Sequence, residues 1–261
     1  MSSISAITTF LDSFAPPRLA ESWDNVGLLV GDAGAGCQRV MTCLTITPES
    51  AREAIDRGAQ LIVTHHPLPF RPLQRLTTAT PEGRLLLELI AARVAIYSPH
   101  TGFDSAAAGI NAQLAAGLGI VDPQPLTPAA QPGEGSGRFG RLARPITLAE
   151  LVTRVKTFLK IDKAQAVGNL QQRVASVGVA CGSAGSFLDA AHEAGCDALV
   201  TGEVRFHTCL EAEAIGVGLV LAGHYPSERF ALETLAAVLR EQFPQLDVWP
   251  SQTERDPVLW V

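Results

Sequence analysis

Apolar positions in this chain fall into short, almost unbroken runs separated by amphipathic stretches. RVMTCLTIT, AQLIVTHH, RVAIYSPH, RVASVGVA, CDALVTGE and VGLVLAGH read as strands rich in β-branched residues. Residues 5–15, PESAREAIDRG, PEGRLLLELIAARV, SAAAGINAQLAAGLGI, ITLAELVTRVKTFLK, SFLDAAHEAG, TCLEAEAIG and SERFALETLAAVLREQF read as helices. Pro48 suits a first helical turn and Gly58 a helix stop. Strands that are apolar on both faces and alternate with helices predict an α/β protein with mixed, largely parallel sheets.

The stretch 122–145 is dense in Pro, Gly and Ser, as a linker or domain boundary would be. It suggests a first α/β lobe over 1–124 and a second over 125–261 that begins with the linker. A repeat supports two similar lobes. Placing EAIDRGAQLIVTHH (53–66) over DAAHEAGCDALVTGE (189–203) aligns His65-His66 with Gly202-Glu203. Placing VAIYSPHTGFD (94–104) over GLVLAGHYPSE (218–228) aligns His100 with His224 and Asp104 with Glu228. Two matches in the same order argue for related halves with functional groups at equivalent strand ends.

Composition narrows the function classes. With 47% hydrophobic and 18% charged residues, the 261-residue chain is expected to be soluble and globular. A net charge of −6 argues against a general nucleic-acid binder. No apolar run reaches the ~18 residues of a membrane span, and the first residues lack a secretory pattern. Five cysteines without a CxxC pair indicate reduced thiols in a cytoplasmic protein, neither a disulfide framework nor a thiolate zinc site.

The candidate chemistry lies at the strand ends, where open α/β sheets bind ligands. Of six histidines, His65, His66, His100 and His224 sit there. Asp104 and Glu228 each follow a histidine by four residues. Imidazole and carboxylate together suit divalent metals such as Zn, Fe, Mn and Ni, without distinguishing them. Adjacent strand residues face opposite ways, but at a terminus leading into Pro67 that alternation can break, so the two rings can address two ions. Structural roles compete with this reading. A histidine can cap a carbonyl, Asp104 can N-cap a helix, and Glu228 can favour a first turn through the helix dipole. The matched set outweighs its members. CGSAGSF (181–187) is a strand-to-helix turn whose Gly182, Ser183 and Gly185 suit either phosphate binding or a tight turn. It is neither a P-loop nor a dinucleotide fingerprint. ESWDNVGLLVG (21–31) has polar residues suited to turns.

ESWDNVGLLVG, VTHHPLPF, YSPHTGFDSAAAGINAQLAAGLG, CGSAGS, TGEVRFH and AGHYPSE together resemble the GTP cyclohydrolase type 2 homologue family, the Nif-three-like proteins, over most of the chain. The resemblance implies toroidal homohexamers and a metal site between two α/β lobes. Carried over, His65 and Asp104 bind one ion, His66 and His224 a second, and Glu228 bridges both, giving two divalent ions per chain. His100 lies close by, and His100 or Glu203 shuttles protons. The chain has no room for the domain that longer members insert. Thr45 stands where relatives often carry an acidic residue. The activity implied is metal-dependent hydrolysis of a nucleotide-like substrate, with GTP ring opening the family-level assignment. The alternative is a non-catalytic metal-binding hexamer that acts as a metal carrier, chaperone or transcription-related adaptor.

Overall fold

The computed structural model describes residues 2–259. Its architecture is mixed α/β, in two compact units. One unit runs to Phe103 and takes in Ala231–Pro257; the other is Asp104–Phe230.

Among the described residues, the first unit holds a five-stranded sheet. Its order is Asp247–Pro250, Arg39–Cys43, Leu61–Thr64, Ala95–Ser98 and Gly27–Val30. The first four strands are mutually parallel, and Gly27–Val30 joins antiparallel at the edge. Every residue of Leu61–Thr64 and Ala95–Ser98 is buried. That follows from a central parallel strand having both faces covered. Met41, Ile62, Leu86, Leu89, Ile96 and Trp249 form one core of this unit. The helix Pro48–Asp56 starts where its sequence predicts. Thr47 and Ser50 cap each other's backbone, Pro48 opens the first turn, and Gly58 stops the chain at a φ of +66°.

The second unit holds a six-stranded sheet. Its order is Gln165–Val167, Gly218–Leu221, Ala198–Glu203, Arg173–Ser183, Arg138–Thr147 and Ile120–Gln124. Only the Arg173–Ser183, Ala198–Glu203 and Gly218–Leu221 strands run parallel; the flanking three join antiparallel. This sheet is therefore more mixed than the sequence pattern suggests. Alternating side chains serve its two faces. Val179, Val200 and Val220 pack with Leu148, Leu151 and Val155. Ala180, Leu199 and Leu219 pack with Leu188, Ala191 and Ala212.

Two expectations about organisation change. The stretch 122–145 is not a linker, because its ends pair as strands Ile120–Gln124 and Arg138–Thr147. Pro123 is tolerated because its strand is an edge. Gly135, at a φ of +135°, lies where a Cβ would stand 2.2 Å from the Thr127 carbonyl oxygen. Arg138 is buried and donates to the carbonyls of Gly133, Gly135, Gly137 and Ala106 at 2.5–3.0 Å, which fixes the loop. Nor do the compact units divide at 124/125. Asp247–Pro250, which reads as no strand in the sequence, pairs with Arg39–Cys43 and belongs to the first sheet.

The repeat seen in the sequence has a structural counterpart in each unit. Leu61–Thr64 lies parallel to Ala95–Ser98, and Ala198–Glu203 parallel to Gly218–Leu221. The second strand of each pair leads into a helix whose first residue is a histidine: His100–Ser105 and His224–Gln242. Asp104 thus lies within its helix rather than at its N-cap, and Glu228 lies beyond the first turn of its own.

Candidate functional site

In the first unit, the sheet delivers three histidines to one place. Beyond Thr64 the backbone keeps its ladder for two more residues. His65 donates to the Cys43 carbonyl at 3.0 Å and His66 to the Leu44 carbonyl at 2.8 Å. The Thr64 hydroxyl lies 3.1 Å from the His66 carbonyl and 3.2 Å from that of Leu44, and holds the strand end tight. Ser98, on the neighbouring strand, donates to the His65 carbonyl at 2.6 Å. The ring centroids of His65 are 5.2 Å from His66 and 5.1 Å from His100. One ligating atom from each of the three lies within 4.8 Å of the other two.

Each outer imidazole of this group has Nδ1 held by an oxygen. His100 Nδ1 is 2.7 Å from Asp24 Oδ1, and His66 Nδ1 is 2.6 Å from Thr45 Oγ1. Asp24 also accepts from the Thr101 amide and hydroxyl. Burial works to raise the Asp24 carboxyl, but the His100 and Thr101 hydrogen bonds outweigh it and hold the group down to about 2. An ionised carboxylate only accepts, so His100 Nδ1 is the donor of this hydrogen bond. His100 adopts a φ of +28°, a sparsely populated conformation for a side-chain-bearing residue, of the kind that gathers at functional sites.

In the second unit the donors are mixed. His224 Nδ1 is 2.9 Å from Glu203 Oε1, and His224 Nε2 is 3.2 Å from Glu228 Oε2. The Glu228 hydrogen bond raises His224 against the lowering effect of burial, and Glu203 adds to it; the ring reaches about 9. Glu228 is buried and rests against Gly182. A Cβ on Gly182 would stand 2.2 Å from Glu228 Oε1, and the residue's φ is +67°. This glycine is a cradle for the carboxylate. The Gly182 amide donates to Ser227 Oγ at 3.0 Å, which ties the cradle to the His224 helix. Next to it, the Cys181 thiol donates to Asp104 Oδ1 at 3.2 Å, and Asn111 accepts from the Cys181 amide at 2.8 Å. Burial, then the Asp104 and Glu228 charges, push the Cys181 thiol well up, so it stays protonated as a donor.

The sequence-predicted site residues thus distribute as follows. His65, His66 and His100 come together in the first unit; Glu203, His224 and Glu228 come together in the second, and Asp104 sits on Cys181. The proposed phosphate residues separate. Gly182 backs Glu228, while Ser183 and Gly185 line a cavity of about 420 Å³ with Ser186, Arg205 and Thr208. Asp24, Asn111, Cys181 and Ser227 escaped the sequence reading as site residues. The residue types of ESWDNVGLLVG by themselves suit turns, and nothing local marks Asp24 as the partner of a histidine 76 residues away.

The family model described as Duf34/NIF3 (NGG1p interacting factor 3) matches residues 2–257. The chain belongs to this family. It is 31% identical over 257 residues to a GTP cyclohydrolase 1 type 2 homolog of Clostridium perfringens, covering 96% of this chain and 97% of that one. It is also 31% identical over 265 residues to NIF3-like protein 1 of Drosophila melanogaster, covering 99% and 89%. Among solved structures, Staphylococcus aureus protein SA1388 superposes with a TM-score of 0.91 at 26% identity, over 100% of this chain and 99% of that one. The fold read above is therefore shared along the whole length of this Duf34/NIF3 chain.

The donors of this Duf34/NIF3 protein fit a divalent metal. A ligating imidazole generally passes its other N–H to an oxygen, which fixes the ring and raises its basicity. His66, His100 and His224 each show that partner, in Thr45, Asp24 and Glu203. A His/Glu cluster of this kind can bind a metal ion. Among the described residues, no helix is long and apolar enough to cross a membrane.

Proposed function

We propose that this protein is a metal-dependent hydrolase acting on a nucleotide-like substrate. His65, His66, Asp104, His224 and Glu228 would hold two divalent ions. The observation that carries the reading is the shared arrangement of His66, His100 and His224, each with Nδ1 against an oxygen. The name GTP cyclohydrolase 1 type 2 homolog, borne by the Clostridium relative, supports the substrate class. A pair of such ions supplies hydroxide at neutral pH and polarises the electrophile.

The chain's own residues do the rest. His100, oriented by Asp24, accepts and returns a proton at Nε2. Glu203 keeps His224 in one orientation through Nδ1. Thr45 does the same for His66 through its hydroxyl, so the ring gains direction from a neutral partner. Ser183 and Gly185 receive a phosphate group. Assembly as a homohexamer in the cytoplasm completes the proposal.

Metal-replete protein assayed with GTP and a panel of phosphoesters tests it. Turnover is expected to fall at least 100-fold in His66→Ala and Glu228→Ala. Turnover that persists unchanged in both variants would reject the hydrolase reading. The family description as NGG1p interacting factor 3 favours the second reading, a metal-binding adaptor or carrier without catalysis. Stoichiometric metal with no turnover of any substrate would select it.

A further inference from the structure

We propose that Trp23 and Phe70 form a stacking platform for a planar heteroaromatic ring of the substrate. The inference deepens the nucleotide-like reading above and rests on it for the substrate's identity.

Trp23 is 60% exposed and Phe70 44% exposed. Contiguous exposed apolar surface rimmed by polar groups is a mark of ligand-binding sites. The two rings lie 6.1 Å apart at 44°. Each also meets the imidazole of His100 edge-on, at 6.1 Å for Trp23 and 6.0 Å for Phe70, both at 78°. The pair therefore borders the histidine group, all within the first unit.

The patch is also held in place. Asp24, next to Trp23, accepts from His100 and twice from Thr101. Asn25 Nδ2 donates to the Pro69 carbonyl at 2.7 Å, which ties the Trp23 segment to the Phe70 segment. The Asn25 amide donates to Asp24 Oδ1 at 2.8 Å, and the Asp24 amide to the Glu21 carbonyl at 3.0 Å. A preorganised surface loses little entropy when a ring lands on it.

An indole face favours a flat π-system over an aliphatic group, and stacking tolerates differences in ring edge. The occupant class is thus a nucleobase or a comparable heteroaromatic ring. A ring on this platform lies beside the imidazole to which proton transfer is assigned. The platform would select for the ring and the metal donors for the reacting group.

The test uses guanosine, which has a ring and no phosphate, and ribose 5-phosphate, which has a phosphate and no ring. Binding is read by tryptophan fluorescence quenching and by calorimetry, on the protein as purified and again after chelation. Trp249 is buried, and Trp249 and Trp260 are both kept in every variant, so the part of the quenching that Trp23→Phe removes reports on Trp23. Guanosine is expected to quench and saturate in both preparations. Trp23→Ala and Phe70→Ala should each weaken guanosine binding roughly 5- to 150-fold, the range for losing one aromatic stack. Trp23→Phe should recover most of it. Ribose 5-phosphate binding and metal content should not change. Phe70→Ala carries the test if Trp23→Ala fails to fold. Guanosine affinity that is equal in the wild type and both alanine variants would overturn the platform. So would a change of oligomeric mass in Trp23→Ala with guanosine binding intact, since a second copy would then cover the patch. Because the nucleoside measurement is repeated after chelation, a failed metal reading and a failed platform give different results.

Discussion

Gly182 shows how one residue sets the chemistry around it. Its positive φ and missing side chain let the Glu228 carboxylate rest where a Cβ would be. Gly182→Ala should lower stability by roughly 1–3 kcal/mol, through backbone strain and displacement of Glu228. Urea unfolding measures it, and a wild-type midpoint would refute the cradle. At this scale the sequence was legible where the residue type is rare. Six histidines, four of them at strand ends, announce themselves. Asp24 and Cys181 do not, because their partners His100 and Asp104 are 76 and 77 residues away. The sequence leaves Gly182 open between a phosphate turn and a tight turn, because a glycine needed for a phosphate and a glycine needed beside a carboxylate look alike in one dimension.

Between elements, Glu53 on the helix Pro48–Asp56 is a buried fastening. It accepts from Trp249 Nε1 at 3.0 Å, Ser251 Oγ at 2.8 Å, the Gln252 amide at 2.9 Å, and the amide and hydroxyl of Thr253 at 3.1 and 2.9 Å. Burial works to raise its carboxyl, but these donors outweigh it and hold the group below its usual 4.5. A depressed carboxyl stabilises the fold fully above its unfolded value and loses that contribution as pH falls through the folded one. Glu53→Gln should therefore cost roughly 2–4 kcal/mol at neutral pH. The gap to wild type should shrink as the pH drops below about 4.5 in urea melts. A gap that stays constant down to pH ~3 would contradict the assignment. The strand that Glu53 fastens is also the element the sequence hides. DVWP is four residues ending in proline, and only its pairing with Arg39–Cys43 makes it a strand. The longer elements were legible because local period and capping agree, as at Thr47 and again at Thr147, which caps the helix Leu148–Leu159 with Glu150.

For the whole molecule, the repeat was readable and the division into units was not. Periodicity and motif spacing follow the chain, so they revealed two matched sets of strand ends; the fold adds that each set is a parallel strand pair leading to a helix that begins with histidine. Compact units follow contacts, and the last strand pairs with one more than 200 residues earlier. Pro and Gly in 122–145 looked like a linker because the turns and edge strands of a sheet use the same residues. The central claim is that the donors of both units exist to hold metal. The most direct measurement is the metal content of protein purified without chelator, beside His66→Ala and Glu228→Ala. The account predicts about two divalent ions per chain in the wild type and a clear loss in both variants. Protein that carries no metal, and takes up none of Zn, Fe, Mn or Ni on reconstitution, would show that these histidines and carboxylates serve the fold alone.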